Sequence, residues 1–190
     1  VGSEMCIRDR DIEFRNGLSE KGGVAYCNTC TLRVTNNRFF DNRSTEGGHL
    51  IYSENGQLKF YNNLVRNNGI DSDTLAVIDL RHTSADTSVR NEIRNNTFYR
   101  NPSTNIRTAD TQTRISSNIF IDPEREAIRN ASDSTTPFVG HNLFWQTEVL
   151  YISDGIDSVQ IKRADRDTIA FSSDLISLPS FMKYAPDIRT

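Results

Sequence analysis

Five residues able to do chemistry fall close together in this chain: Asp71, Asp73, Asp79, Arg81 and His82. Carboxylates are hard oxygen ligands of the kind that hold calcium, and Asp71 and Asp73 are the candidate metal ligands. An arginine such as Arg81 can pair with a substrate carboxylate, and a histidine such as His82 can move a proton near neutral pH. Asp79, Arg81 and His82 are therefore the candidate catalytic residues. The same residues have a plainer explanation. Asp71 and Asp73 lie in a Ser/Thr/Asp-rich bend, where such side chains cap turns and face water. Asp79-Leu-Arg81 sits at a strand end and reads equally well as one exposed ion pair.

Cys27-Asn-Thr-Cys30 is the second reactive motif. Zinc takes four ligands, and no second cysteine pair or nearby histidine pair accompanies it. Redox catalysis by such a pair belongs in a βαβ setting, which the flanking residues do not supply. Two readings stay open: a disulfide clamping a tight bend, or two reduced turn residues. A disulfide would suit an exported protein.

Arginines form the third group. Arg33, Lys59 and Arg114 fall at similar phases beside Val34, Phe60 and Ile115, while Arg38, Arg66 and Arg100 recur near asparagine bends. Stacked like charges repel unless they meet carboxylates or an anionic ligand. Such a stripe is either an outward face solvated by water or a seat for acidic polysaccharide.

These residues are positioned by a repeat. The chain writes Asn37-Arg-Phe39-Phe-Asp-Asn42, Asn63-Leu-Val65-Arg-Asn-Asn68 and Asn96-Thr-Phe98-Tyr-Arg-Asn101, then shorter copies at Asn118-Ile-Phe120 and Asn142-Leu-Phe144. The leading asparagines are 26, 33, 22 and 24 residues apart, the signature of a solenoid. Apolar residues alternate over short runs, as in Leu32-Arg-Val34 and Leu58-Lys-Phe60, and no helical period appears. A leucine-rich repeat would need several leucines per turn, which are missing. The spacing predicts a coil of short strands, successive turns stacked about 4.8 Å apart. Phe39, Val65, Phe98, Phe120 and Phe144 would then form one core column. Asn37, Asn63, Asn96, Asn118 and Asn142 would form an amide ladder at a bend, where asparagine tolerates left-handed backbone angles. The long step from Asn63 to Asn96 places an insertion at one bend, over Ser72–Thr87.

With these motifs in hand, the chain resembles the right-handed parallel β-helix class, the fold of pectate lyases and many surface proteins. The fold class expected is therefore all-β, a single-stranded right-handed parallel β-helix. Phe39-Phe-Asp-Asn42 and Phe98-Tyr-Arg-Asn101 are similar to the FxxN repeat of polymorphic outer-membrane and adhesin-like proteins. Gly22-Gly-Val-Ala25 and Gly47-Gly-His-Leu50 resemble that group's Gly-Gly partner motif, the second departing at His49. The resemblance implies flat sheets that bind polysaccharide. Some members cleave uronic-acid polymers by β-elimination, which uses a cation or Arg on the sugar carboxylate and a base for the C5 proton. The run from Val65 to Phe98 resembles the alginate and chondroitin lyase branch. That branch carries Lys-Ser before its Asn-Thr-Phe and an Arg-His-Gly in the next turn. This chain has Thr87-Ser88 and no Arg-His-Gly, so the expected base and acid are absent. The reading implied is a surface or carbohydrate-binding scaffold without assigned catalysis. The alternative is a polysaccharide lyase or glycoside hydrolase acting on acidic polysaccharide.

Composition bounds the remainder. The chain has 190 residues, 22 Lys plus Arg and 25 Asp plus Glu, for a formal net charge of -3. That balance gives no reason to expect nucleic acid as a partner. No apolar run is long enough to span a membrane. Residues 1–10 resemble translated sequencing-adapter DNA from the edge of an environmental read. Residues 11–152 hold the repeats, and 153–190 resemble the closing segment of secreted β-helix domains. The expectation is a fragment of a larger exported protein, extracellular or at the cell surface, and monomeric. No cofactor is expected; calcium is the candidate cation and polysaccharide the candidate partner.

Overall fold

A computed structural model of the chain describes residues 11–70, 74–132, 134–154, 159–162 and 170–172. Residues 1–10, with the adapter resemblance, and Asp71 and Asp73 lie outside the described residues, as does most of 153–190.

The described chain winds as a parallel β-solenoid. The first turn holds β1 (Glu13–Arg15), β2 (Leu18–Ser19), β3 (Ala25–Asn28) and β4 (Thr31–Thr35). The second holds β5 (Arg38–Phe40), β6 (Arg43–Ser44), β7 (Ile51–Glu54) and β8 (Gln57–Tyr61). The third holds β9 (Leu64–Arg66) and the long β10 (Ala76–Arg94), and the fourth β11 (Thr97–Tyr99) and β12 (Thr104–Ser116). The fifth holds β13 (Ile119–Ile121), β14 (Ile128–Asn130) and β15 (Phe138–Gly140), and the sixth β16 (Asn142–Trp145) and β17 (Val149–Ser153). Two further strands, β18 (Val159–Lys162) and β19 (Ala170–Ser172), pair antiparallel with β17 and β16.

Three faces result. The ladder face stacks β1, β5, β9, β11, β13 and β16 in parallel. The tyrosine face stacks β3, β7, the first half of β10, the first half of β12, β14 and β17. The groove face stacks β4, β8, the second halves of β10 and β12, and β15. Parallel strands joined by covalent crossovers wind right-handed because of the strand twist, which makes this a right-handed β-helix.

The core follows the repeat. Register places Phe14, Phe39, Val65, Phe98, Phe120 and Phe144 in one column. All but Phe14 are fully buried. The rings of Phe98, Phe120 and Phe144 stack with centroids 5.0 and 5.1 Å apart, within the range of favourable offset stacking.

The asparagine ladder is present, and its geometry differs from the sequence expectation in one respect. The left-handed residue is the one before each ladder asparagine: Asn36, Asn62, Asn95, Ser117 and His141, with φ between 56° and 58°. The chain turns one residue early so that the ladder side chain itself points inward. There the Oδ1 of each asparagine accepts the backbone N–H of its counterpart one turn earlier, at 2.9 to 3.0 Å from Asn37 through Asn142. A second ladder, Asn42–Asn68–Asn101, closes the other end of each three-residue strand in the same way. It too follows left-handed residues, Asp41, Asn67 and Arg100. The six-residue phrase is thus a short strand with a buried amide at each end, which satisfies backbone donors that a sharp corner would otherwise strand.

The extra length of the third turn falls at one bend, as the spacing predicts, and among the described residues of that stretch it is carried by the backbone of β10. Against β12, β10 shifts register between Arg81 and Asp86 and again between Asp86 and Arg90, so the added residues bulge from strand-like backbone at the bend between two faces. Gly48 of the second Gly-Gly pair is needed for close approach, since a Cβ there would run into the Ile51 carbonyl. At the corner between β3 and β4, Cys27 and Cys30 form a disulfide.

Candidate functional site

The residues singled out as candidate catalysts separate across the sheet. Strand alternation sends Ile78 and Leu80 inward and leaves Asp79 and Arg81 on the outer side of the tyrosine face. His82 turns to the inner side, where its Nε2 lies 3.2 Å from the Gly56 carbonyl. Asp79 and Arg81 therefore come together, and His82 does not join them.

Asp79 is fully buried and already occupied. The Arg81 guanidinium donates to it at 2.7 and 3.1 Å, and Arg107 lies 3.6 Å away on the next turn. Hydrogen bonding to Asp79 raises the pKa of Arg81 above its ordinary value. The rest of the face pairs likewise. Tyr26 and Tyr52 stack with centroids 5.7 Å apart, and both hydroxyls donate to Glu54. Burial, then the bond to Glu54, pushes Tyr52 up to about 12. The Tyr26 hydroxyl is the main cause holding Glu54 below the usual carboxylate range. Lys21 reaches Glu54 at 3.7 Å, and Arg129 bridges Glu126 and Asp154 at 3.4 and 3.2 Å. Charge on this face is largely consumed within the face.

The groove face is different. One lateral row runs Arg33, Lys59, Glu92, Arg114, Phe138 across β4, β8, β10, β12 and β15. The row before it carries Gln57, Arg90 and Gln112. Over β10, β12 and β15 these side chains floor a groove of about 510 Å³, walled by Phe138 and residues 134–136. The Arg114 guanidinium lies 4.8 Å over the Phe138 ring. Glu92 accepts the Tyr61 hydroxyl at 2.7 Å and pairs with Arg94 at 3.1 Å. Among the described residues, Arg33, Lys59, Arg90 and Arg114 have no carboxylate partner.

The wall is built from a distance. Asp110, left-handed at the corner of β12, accepts the hydroxyls of Ser132 and Ser134 at 2.7 and 2.9 Å. Ser132 Oγ in turn accepts the backbone N–H of Ser134 and Thr135. The Ser132 hydroxyl, then that of Ser134, lowers the Asp110 pKa.

Phase alone placed Arg33, Lys59 and Arg114 together, and the register agrees. Arg38 and Arg66 occupy different rows of the ladder face, opposite Leu64 and Phe40, and Arg100 sits at a corner. Arg90, Gln112 and the residue 134–136 wall were not singled out from sequence. They come from three separate turns, and only lateral pairing brings them together.

Comparison with protein-family models, curated proteins and solved structures gave no match. The class defined by fold and surface is a parallel β-solenoid scaffold. No group of three or more His, Cys, Asp or Glu positioned to hold a metal occurs among the described residues. No helix among them is long and apolar enough to cross a membrane.

Proposed function

We propose that this chain is a carbohydrate-binding β-helix scaffold, part of an exported protein acting outside the cell or at its surface. The observation that carries the reading is the groove of about 510 Å³ on the groove face. Its lining combines an aromatic ring, Phe138, with amide and hydroxyl groups from Gln112, Thr135 and Thr136 that suit sugar hydroxyls. The Cys27–Cys30 disulfide supports an oxidising location. The likeness of the Phe39–Asn42 and Phe98–Asn101 segments to repeats of surface proteins supports it too. Glu92 is the one carboxylate among the groove's described lining residues, whereas glycosidases commonly use two. This favours binding over hydrolysis.

The test is isothermal titration against a panel of plant, algal and bacterial oligosaccharides, with Phe138→Ala and Gln112→Ala as groove variants. Saturable binding weakened by both variants is the expected result. No binding across the panel would sink the reading. The same mixtures, followed for absorbance of an unsaturated uronate product, decide the lyase alternative. A repeat with calcium and with chelator tests the candidate cation. Size-exclusion chromatography with light scattering checks the monomeric state.

A further inference from the structure

We infer that the ladder face is a lipid-binding surface: the outward side chains of β11, β13 and β16 enter a phospholipid bilayer, and the arginines of the earlier turns meet its headgroup phosphates. The inference lies beyond the carbohydrate-binding reading and is independent of it, since the groove belongs to another face.

Strand alternation buries Phe98, Phe120 and Phe144 and turns their neighbours outward. On β11, β13 and β16 those outward side chains are Thr97, Tyr99, Ile119, Ile121, Leu143 and Trp145, and none is charged. Register sets them in two rows along the axis, Thr97–Ile119–Leu143 and Tyr99–Ile121–Trp145. Ile119-Phe120-Ile121 and Leu143-Phe144-Trp145 are thus apolar on both sides of the sheet, the pattern of strands covered on both sides. The core covers the inner side. On the outer side Ile119 stays 38 % exposed and Trp145 37 %. The outward positions of the other two faces carry Arg107, Arg129, Lys59 and Arg114, so the apolar surface is local.

What covers it follows from the same two rows. Toward the first turn they continue as Leu64–Arg38 and as Arg66–Phe40–Arg15. Guanidinium groups lie against the rings, Arg15 at 4.5 Å over Phe40, and Arg66 and Arg100 at 5.3 and 5.1 Å over Tyr99. The apolar patch spans three strands about 4.8 Å apart and two rows about 7 Å apart, roughly 200 Å² of face, against about 800 Å² per partner in a standard protein interface. A contact between two copies would have to spread over Arg38 and Arg66 and desolvate them, while Glu13 and Asp122 are already held by Arg15 and Arg100. A bilayer asks for no such area. Tryptophan and tyrosine rest at its headgroup level, aliphatic side chains reach just beneath, and arginine meets phosphate oxygens through paired hydrogen bonds. Apolar rows flanked by arginine on one face match those two layers.

Trp145 is the one tryptophan of the chain, so its fluorescence reports on this face alone. The test titrates the full chain with vesicles of phosphatidylcholine and of phosphatidylcholine mixed with phosphatidylglycerol. The expected result is saturable co-sedimentation, a blue shift of Trp145 emission and quenching by brominated acyl chains, all stronger with phosphatidylglycerol. Ile119→Ser should lower the partition coefficient about tenfold, the value of moving roughly 55 Å² of apolar surface out of water. Arg38→Gln should weaken binding to the phosphatidylglycerol mixture more than to phosphatidylcholine. Leu18→Ser, at an exposed apolar residue of β2 away from this face, and Arg33→Gln, on the groove face, should change neither. Absence of co-sedimentation and of any emission shift with both vesicles would overturn the inference. So would binding that leaves Trp145 emission unmoved or is insensitive to Ile119→Ser. Self-association without lipid, abolished by Ile119→Ser, would give the face to a second copy instead. Shielding of Trp145 from acrylamide in the lipid-free chain, relieved by deleting residues 173–190, would give it to the chain's own C-terminal segment. None of these outcomes bears on the glycan titrations.

Discussion

The Oδ1 atom of Asn96 accepts two hydrogen bonds from Asn63, one from its backbone N–H at 2.9 Å and one from its side-chain amide at 3.1 Å. Asn96 Nδ2 donates to the Phe60 and Arg94 carbonyls and to Asn118 Oδ1. One buried side chain thus ties together three turns. Asn96→Ala leaves these partners unpaired and should cost roughly 2–5 kcal/mol, since each buried unsatisfied group costs about 1–3 kcal/mol. Chemical denaturation followed by far-UV circular dichroism measures it. A loss below about 1 kcal/mol would show that water replaces the ladder.

Phe98 lies between Val65 and Phe120 in the core column, 1 % exposed. Phe98→Ala should cost about 3–5 kcal/mol, and Phe98→Leu distinctly less. Equal losses for the two would mean that volume is not what the column requires.

The Cys27–Cys30 disulfide closes a short loop, worth roughly 2 kcal/mol on the loop-entropy model. Reductant should lower the melting temperature of the wild type and leave Cys27→Ser/Cys30→Ser unchanged. Thiol titration of the denatured, unreduced protein should find one of its three cysteines free.

The contact between Tyr52 and Glu54 titrates from both sides. Glu54 is depressed, so its contribution is present above the ordinary glutamate pKa and is lost as pH falls through its lower folded value. Tyr52 is raised, so its contribution is present below the ordinary tyrosine pKa and is lost as pH rises through about 12. Melting temperature against pH should flatten in its acidic limb in Glu54→Gln, and ultraviolet titration should find a late-ionising tyrosine. If Glu54→Gln keeps the wild-type acid limb, Glu54 is not its source.

Asp110→Asn keeps the size of the side chain at the groove corner but weakens its acceptance of the Ser132 and Ser134 hydroxyls. Glycan affinity should fall several-fold with the far-UV spectrum unchanged. Unaltered affinity would show that the wall stands without this carboxylate.

The fold was legible because a stacked coil repeats its constraints: each turn needs a core side chain at Phe98's position and a buried amide at Asn96's. The left-handed angle could not be assigned so well. Asn95 and Asn96 are both asparagine, and only the direction of the side chain tells which one bends the chain. The later turns put Ser117 and His141 at the bending position, which shows that asparagine is preferred there rather than required. The site was the least legible part. Arg81 has its partner Asp79 two residues away on its own strand, where the sequence shows it, whereas Arg114 meets Phe138 only because the next turn pairs beside it.

The amide ladder also has a direction. Every Oδ1 from Asn63 to Asn142 faces the preceding turn, and every matching donor faces the next. Any turn bearing the phrase therefore presents the same acceptor on one side and the same donor on the other, whatever its order in the chain. Duplicating one turn in the gene would insert a unit whose two sides already fit both neighbours. Such a coil can lengthen by unequal recombination without redesigning its cross-section, and an axial groove would lengthen with it.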